Sequence, residues 1–199
     1  MAEKKPLAIN GLSPIGRISF PKLFVPEARE AGDKPKYQVT VSFVPAELEG
    51  ADKEAFEAMV EAANKCSNDM YGVNLKDPVI PEDGDPYYLR NPFRRGTENK
   101  YHKDDEIWIR FSSINKPQVI DGMKQEITEE SGQAYAGMLG RASWCCKAYD
   151  YLGNRGVTFY LGNFQKTGAG VRLTGGASAE DEFGEVVAEA PAADDGTPF

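Results

Sequence analysis

Histidine is almost missing from this chain of 199 residues: His102 is the only one. A zinc site of the Cys/His kind needs three or four ligands at short spacing. The cysteines do not supply them, since Cys66 stands far from the adjacent Cys145 and Cys146. A Ser-His-Asp triad would have to use His102, yet no Gly-x-Ser-x-Gly elbow is present. A Gly-x-x-x-x-Gly-Lys-Ser/Thr phosphate loop is lacking too, because Gly168 and Gly170 lead into Val171 and Arg172. Of metal ligands only the carboxylates remain available. The sequence therefore reads as that of a protein without catalytic residues, metal or cofactor.

Long apolar runs are also absent. No stretch of 18 apolar residues offers a membrane span, and Met1 to Pro6 carries no apolar segment of the leader type. Three cysteines with two of them adjacent make a poor disulfide framework and point to a reducing cytoplasm. A soluble intracellular protein is expected.

An excess of basic residues is missing overall, since 31 Asp and Glu face 23 Lys and Arg for a net charge of −8. The deficit is local. Residues 179–199 hold seven of the acids and no Lys or Arg, which leaves 24 acids against 23 bases, a balance of −1, over residues 1–178. A segment so acidic and so rich in Ala, Gly and Pro cannot bury a core, and we expect a disordered tail over 179–199 after one domain over 1–178. The tail closes on Asp194, Asp195, Gly196, Thr197, Pro198 and Phe199. An aromatic ring beside a terminal carboxylate, after a stiffening proline, suits a small basic pocket on a partner. Asp194, Asp195, Pro198 and Phe199 are thus the candidate partner-binding residues.

The body is patterned mainly as β-structure with one or two helices. Gly16 to Val25 reads as a strand broken at Pro21, hence at an edge or a bulge. Lys36 to Val44 alternates, with Tyr37, Val39, Val41 and Phe43 on one face and Lys36, Gln38, Thr40 and Ser42 on the other. Asp52 to Tyr71 changes to helical period, with Asp52 as N-cap and Gly72 as stop. Residues 77–103 read as an irregular segment. Glu106 to Ile114 turns Ile107, Ile109 and Phe111 inward and Trp108, Arg110 and Ser112 outward. Residues 142–152 form a further strand, and a turn over Gly153 to Gly156 leads into Val157 to Phe164 as a hairpin. Five or six locally connected strands with one helix fit a small antiparallel barrel.

Single strands of nucleic acid are held by cations for phosphates and exposed rings for bases. The strand over 142–152 sends Ala142, Trp144, Cys146, Ala148 and Leu152 to the core and presents Ser143, Cys145, Lys147, Tyr149 and Tyr151 on its other face. Trp108 and Arg110 repeat that combination one strand earlier. The same rings would serve equally to cover the outside of the barrel. A second candidate is the stretch 87–103, where Arg90, Arg94, Arg95, Lys100 and Lys103 face only Glu98 and interleave with Tyr87, Tyr88, Phe93 and Tyr101. His102 reads as a loop residue, not a catalyst, and the helix as a lid.

The tip at Asp194 to Phe199 is similar to the acidic tip, ending in Pro-Phe, of bacterial single-stranded DNA-binding proteins. Phage replication proteins of that kind also end in an acidic tail and a Phe. The body resembles a phage family, first catalogued as a domain of unknown function, of single-stranded DNA-binding proteins. The stretches that carry the resemblance are Ala136-Gly137 with Arg141 to Ser143, Gly156 to Lys166 (GVTFYLGNFQK), Gly170 to Gly175 (GVRLTG) and Ser178 to Phe183 (SAEDEF). It covers residues 10–183 loosely and 135–183 more closely. The resemblance implies an OB-fold, a five-stranded antiparallel Greek-key barrel, that binds single-stranded DNA without sequence preference. It also implies replication partners (polymerase, helicase or nuclease) and a place in the cytoplasm of an infected bacterium, as monomer or weak homo-oligomer. A virion structural protein and a strand-annealing recombination protein are the alternatives. The family pattern assigns no DNA-contact residues, so those above rest on alternation alone.

Overall fold

Alternating apolar and polar residues in this computed structural model, which describes residues 6–75 and 89–173, resolve into eight strands and one α-helix among the described residues. They are β1 (Ile9–Leu12), β2 (Gly16–Glu27), β3 (Lys36–Phe43), α1 (Gly50–Tyr71), β4 (Arg94–Arg95), β5 (Ile107–Ser113), β6 (Val119–Ile120), β7 (Leu139–Tyr151) and β8 (Asn154–Gly168). Pairing runs β7–β2–β3–β5–β8, and the β7–β8 hairpin closes the circuit. The short strands attach outside it, β1 to β7, β6 to β8 and β4 to β5.

The expected sheet was wholly antiparallel, and the structure corrects this. β5 and β8 run parallel, with Phe111 opposite Phe159 and Ser112 opposite Tyr160, and β6 also joins β8 in parallel. The reason is arithmetic: a closed circuit of five strands cannot alternate direction throughout, so one junction must be parallel. That junction is reached by a long connection through β7, as parallel pairs require. The strand count also exceeds the expected five or six, because β1, β4 and β6 are too short to leave a period.

β2 bends where Pro21 interrupts it, as a break in register with β3 between Ser19 and Lys22. β3 keeps the expected alternation, but its polar face is not free, for Thr40 and Ser42 are 2% and 1% exposed. Leu152 is a correction. It lies outside the core, 90% exposed, because Leu152 and Gly153 (φ 51° and 80°) form the two-residue turn between Tyr151 and Asn154. Positive φ at both central positions is what a tight hairpin requires, so β8 begins at Asn154 and the turn precedes the expected one.

The helix starts two residues before the expected N-cap, at Gly50, with Glu49 capping through no side-chain bond. Asp52 instead accepts a hydrogen bond from the Ile15 N–H at 2.9 Å, which ties α1 to the β1–β2 connection. Gly72 ends the helix in the left-handed conformation (φ 72°), its N–H bonding Asn68 O at 3.0 Å. Met59, Ala62, Ala63 and Cys66 are buried, and α1 packs on β7, β1 and β8.

One chain of rings fills the interior. Phe43 meets Phe56 (5.3 Å between centroids), Phe56 meets Phe93 (5.8 Å), Phe93 meets Phe159 (5.6 Å) and Trp144 meets Phe159 (5.0 Å), all edge to face. No helix among the described residues is long and apolar enough to cross a membrane.

Candidate nucleic-acid interface

The positions of the circuit that point away from the core are level with one another, although Ser19 and Thr40 are covered, 3% and 2% exposed. Ser19 stands opposite Thr40, and Thr40 opposite Arg110. The parallel register Phe111–Phe159 sets Arg110 level with Thr158, and Thr158 stands opposite Lys147. At about 4.8 Å per strand, the row from Ser19 to Lys147 spans about 19 Å. Arg110 and Lys147, which the sequence placed on two separate strands, therefore share one curved face. Tyr160 joins them, opposite both Ser112 and Cys145, and Lys147 Nζ stands 5.9 Å from its ring centroid.

Arg110 is exposed and makes no ion pair among the described residues. Partial burial of the guanidinium, with the like charges of Arg29 and Arg94 nearby, works against its charged form. Arg94 is paired with Glu98, which leaves the like charges of Arg29 and Arg110 to favour an incoming anion. Lys147 likewise has only the Tyr160 ring as partner among the described residues.

The stretch after residue 89 is not the irregular loop expected. Arg90 bridges in parallel to Gly156, giving its N–H to Arg155 O at 2.9 Å and taking Val157 N–H at 3.1 Å. Four residues on, β4 sets Arg94 opposite Trp108. The stretch thus fills the gap where β5 and β8 diverge, and Phe93 between these anchors drops into the core at 6% exposure. Phe93 is a correction among the candidate residues, for its ring is not offered to a ligand. Tyr87 and Tyr88 lie outside the described residues, as do Asp194, Asp195, Pro198 and Phe199 and the whole expected tail.

From Gly96 to Glu106 the chain folds back over β2 and β5. A Cβ on Gly96 would land on Lys103 O, so only glycine lets these two backbones meet. Trp108 fastens this cover. His102 stacks on its indole at 5.2 Å and 9°, and Trp108 Nε1 donates to Arg95 O at 2.9 Å. Beneath lies a buried polar group: Glu106 accepts from Arg17 Nη2 at 2.6 Å and from the Lys103 N–H at 3.1 Å. Burial opposes ionisation of Glu106, but Arg17, the Lys103 N–H and His102 outweigh it and hold the carboxyl below its usual range. Burial first, then the charge of Arg17, lower the pKa of His102.

The other candidates divide between these surfaces. Arg90 and Arg95 are exposed, Arg94 is half-buried and pairs with Glu98 at 3.2 Å, and Lys100 and Lys103 are exposed on the cover. Tyr101 is 57% exposed. Tyr149 and Tyr151 lie at the hairpin end of β7, Tyr151 72% exposed, while the Tyr149 carbonyl accepts a hydrogen bond from the Tyr71 hydroxyl. Sequence reasoning missed Tyr160, Arg29 and Phe20. Alternation in β8 with Phe159 and Leu161 inward marks Tyr160 as outward, whereas the position of Arg29 depends on how the β2–β3 connection folds. No cluster of metal-ligating side chains occurs among the described residues.

No curated protein sequence matches the chain. Among solved structures, the single-stranded DNA-binding protein of bacteriophage Enc34 with a C-terminal truncation is 15% identical, with a TM-score of 0.63, covering 86% of this chain and 95% of that one. The same phage protein in complex with ssDNA gives 18% identity and a TM-score of 0.62 over 87% and 97%. The gp2.5 single-stranded DNA-binding protein of bacteriophage T7 gives 13% and 0.53 over 91% and 100%. These likenesses establish a shared fold. The model of the family described as Enterobacter phage Enc34, ssDNA-binding protein matches residues 13–195, and the chain belongs to that family.

Proposed function

We propose that this protein binds single-stranded DNA without sequence preference along the exposed part of the row, from Arg110 to Lys147. The observation that carries the reading is the placing of Arg110 and Lys147 on one face with the exposed Tyr160 ring. Counted from β2, the order of pairing supports a reading as an OB barrel, in which the second and third strands (here β3 and β5) and the loops after the first and fourth bind oligonucleotides. Arg29 lies in the first of those loops and Tyr151 at the edge of the second. The rings stack on bases and the cations engage phosphates, a division that tolerates any sequence.

The protein coats strands exposed during phage replication or recombination, in the cytoplasm of the infected bacterium, and performs no chemistry on them. The tail over 179–199, with its seven acids, competes for the cationic row when no DNA is bound. Once displaced, it offers Phe199 to a polymerase, helicase or nuclease. The protein acts as a monomer or weak homo-oligomer.

A gel shift with oligo-dT against duplex of equal length tests the reading. Binding to oligo-dT in preference to duplex is expected, with log affinity falling against log salt by about 0.7 per phosphate engaged. A virion structural protein would ignore oligo-dT, and a strand-annealing protein would in addition pair two complementary strands.

A further inference from the structure

Phe20 holds a backbone φ of 50°, in the left-handed region that bulky side chains rarely adopt. Glycine would accept this conformation more readily, so the turn itself gives no reason for an aromatic residue. Burial gives little reason either. Phe20 is 43% exposed and meets Tyr101, itself 57% exposed, edge to face at 5.6 Å and 81°. Backbone strain of this kind persists where the surroundings impose it, and such positions gather at ligand sites.

The surroundings are specific. Tyr101 is fixed through its backbone, its N–H bonding Asn99 Oδ1 at 3.1 Å and its carbonyl accepting from Arg17 Nη2 at 3.4 Å. Lys100 Nζ stands 5.2 Å from the Tyr101 centroid. Phe20 directly follows Ser19, which is level with Thr40 and Arg110, but Ser19 and Thr40 are covered, 3% and 2% exposed. Two exposed rings and a cation thus stand on β2 and the cover, separated by the buried Ser19 and Thr40 from the exposed face of Arg110, Lys147 and Tyr160.

We infer that Phe20 and Tyr101 form a base-stacking site for single-stranded nucleic acid, with Lys100 as its phosphate contact. This rests on the single-stranded DNA reading above and extends the contact surface to β2. A ring placed on strained backbone and left in solvent is accounted for by a base that stacks on it.

Two variants of the full chain test this. Phe20→Gly relieves the backbone, so its thermal midpoint should equal or exceed that of the unchanged protein, while oligo-dT binds about five- to 150-fold more weakly. Phe20→Trp should keep the affinity and add indole emission that oligo-dT quenches. Unchanged affinity in Phe20→Gly, or absence of added quenching in Phe20→Trp, overturns the stacking site while leaving the broader reading in place. Failure of the unchanged protein itself to bind oligo-dT overturns both.

Discussion

His102 is buried against Trp108 with neither ring nitrogen in a hydrogen bond among the described residues. Its Nδ1 lies 3.5 Å from Glu106 Oε2, close enough for ion pairing once protonated but too long for a good hydrogen bond. Burial and the charge of Arg17 work against its protonation. In the unfolded chain the same imidazole takes up a proton near pH ~6.5. As pH falls below that value the unfolded state binds more protons than the folded one, and stability declines until the folded histidine titrates. Glu106 acts in the same direction at lower pH. Its folded pKa is depressed, so the stability it contributes is present above the unfolded pKa and is lost as pH drops through the folded one. Replacing the imidazole by a ring that does not titrate, His102→Phe, should flatten thermal stability between about pH 5 and 7 and leave the more acidic limb intact. Melting curves across that range decide it, and an unaltered slope near pH 6 assigns the acid sensitivity elsewhere.

At the scale of elements, the inserted stretch from Arg90 to Arg95 is the instructive case. Phe93 bridges Phe56 of α1 and Phe159 of β8, so truncation to alanine opens a cavity where helix, insert and barrel meet. Phe93→Ala should lower unfolding free energy by about 3–5 kcal/mol, measured by denaturant titration, and leave oligo-dT affinity of the folded fraction unchanged. Loss of affinity without loss of stability would return Phe93 to the binding surface. Sequence could not make this distinction, because Phe93 sits among Arg90, Arg94 and Arg95 with no period to mark its direction. Where period exists it served well. Ile109 and Phe111 inward, and Trp144, Cys146 and Ala148 inward, were legible and are buried. Outward orientation was legible as well, but free access was not. Trp108 points away from the core as alternation implies, yet His102 covers one of its faces, from a segment whose folding back depends on Gly96 meeting Lys103.

For the molecule as a whole, the division between a nearly neutral body and an acidic tail was readable from charge counts, and the closed circuit was readable only as a strand tally. The parallel β5–β8 junction leaves no mark in either strand's pattern. If the seven acids of the tail compete with DNA, a chain ending after Ser178 should bind oligo-dT several-fold more tightly at about 50 mM salt, with the gain vanishing at higher salt. Fluorescence titration at two salt concentrations checks this, and equal affinities at low salt exclude the competition. The circuit also bears on how the protein is made. β2 and β5 each need a partner from the last two strands, at Gly16–Gly140 and Phe111–Phe159. On the ribosome, the 55 residues separating Ser113 from Gly168 take about 3–11 s to synthesise at about 5–20 residues per second. Until β7 is made β2 lacks its outer partner, and until β8 is made β5 is paired on that side only by the two residues of β4. The growing chain is then most open to faulty association with its neighbours, and the two strands of the β7–β8 hairpin end the exposure of the β2 edge first and the β5 edge second.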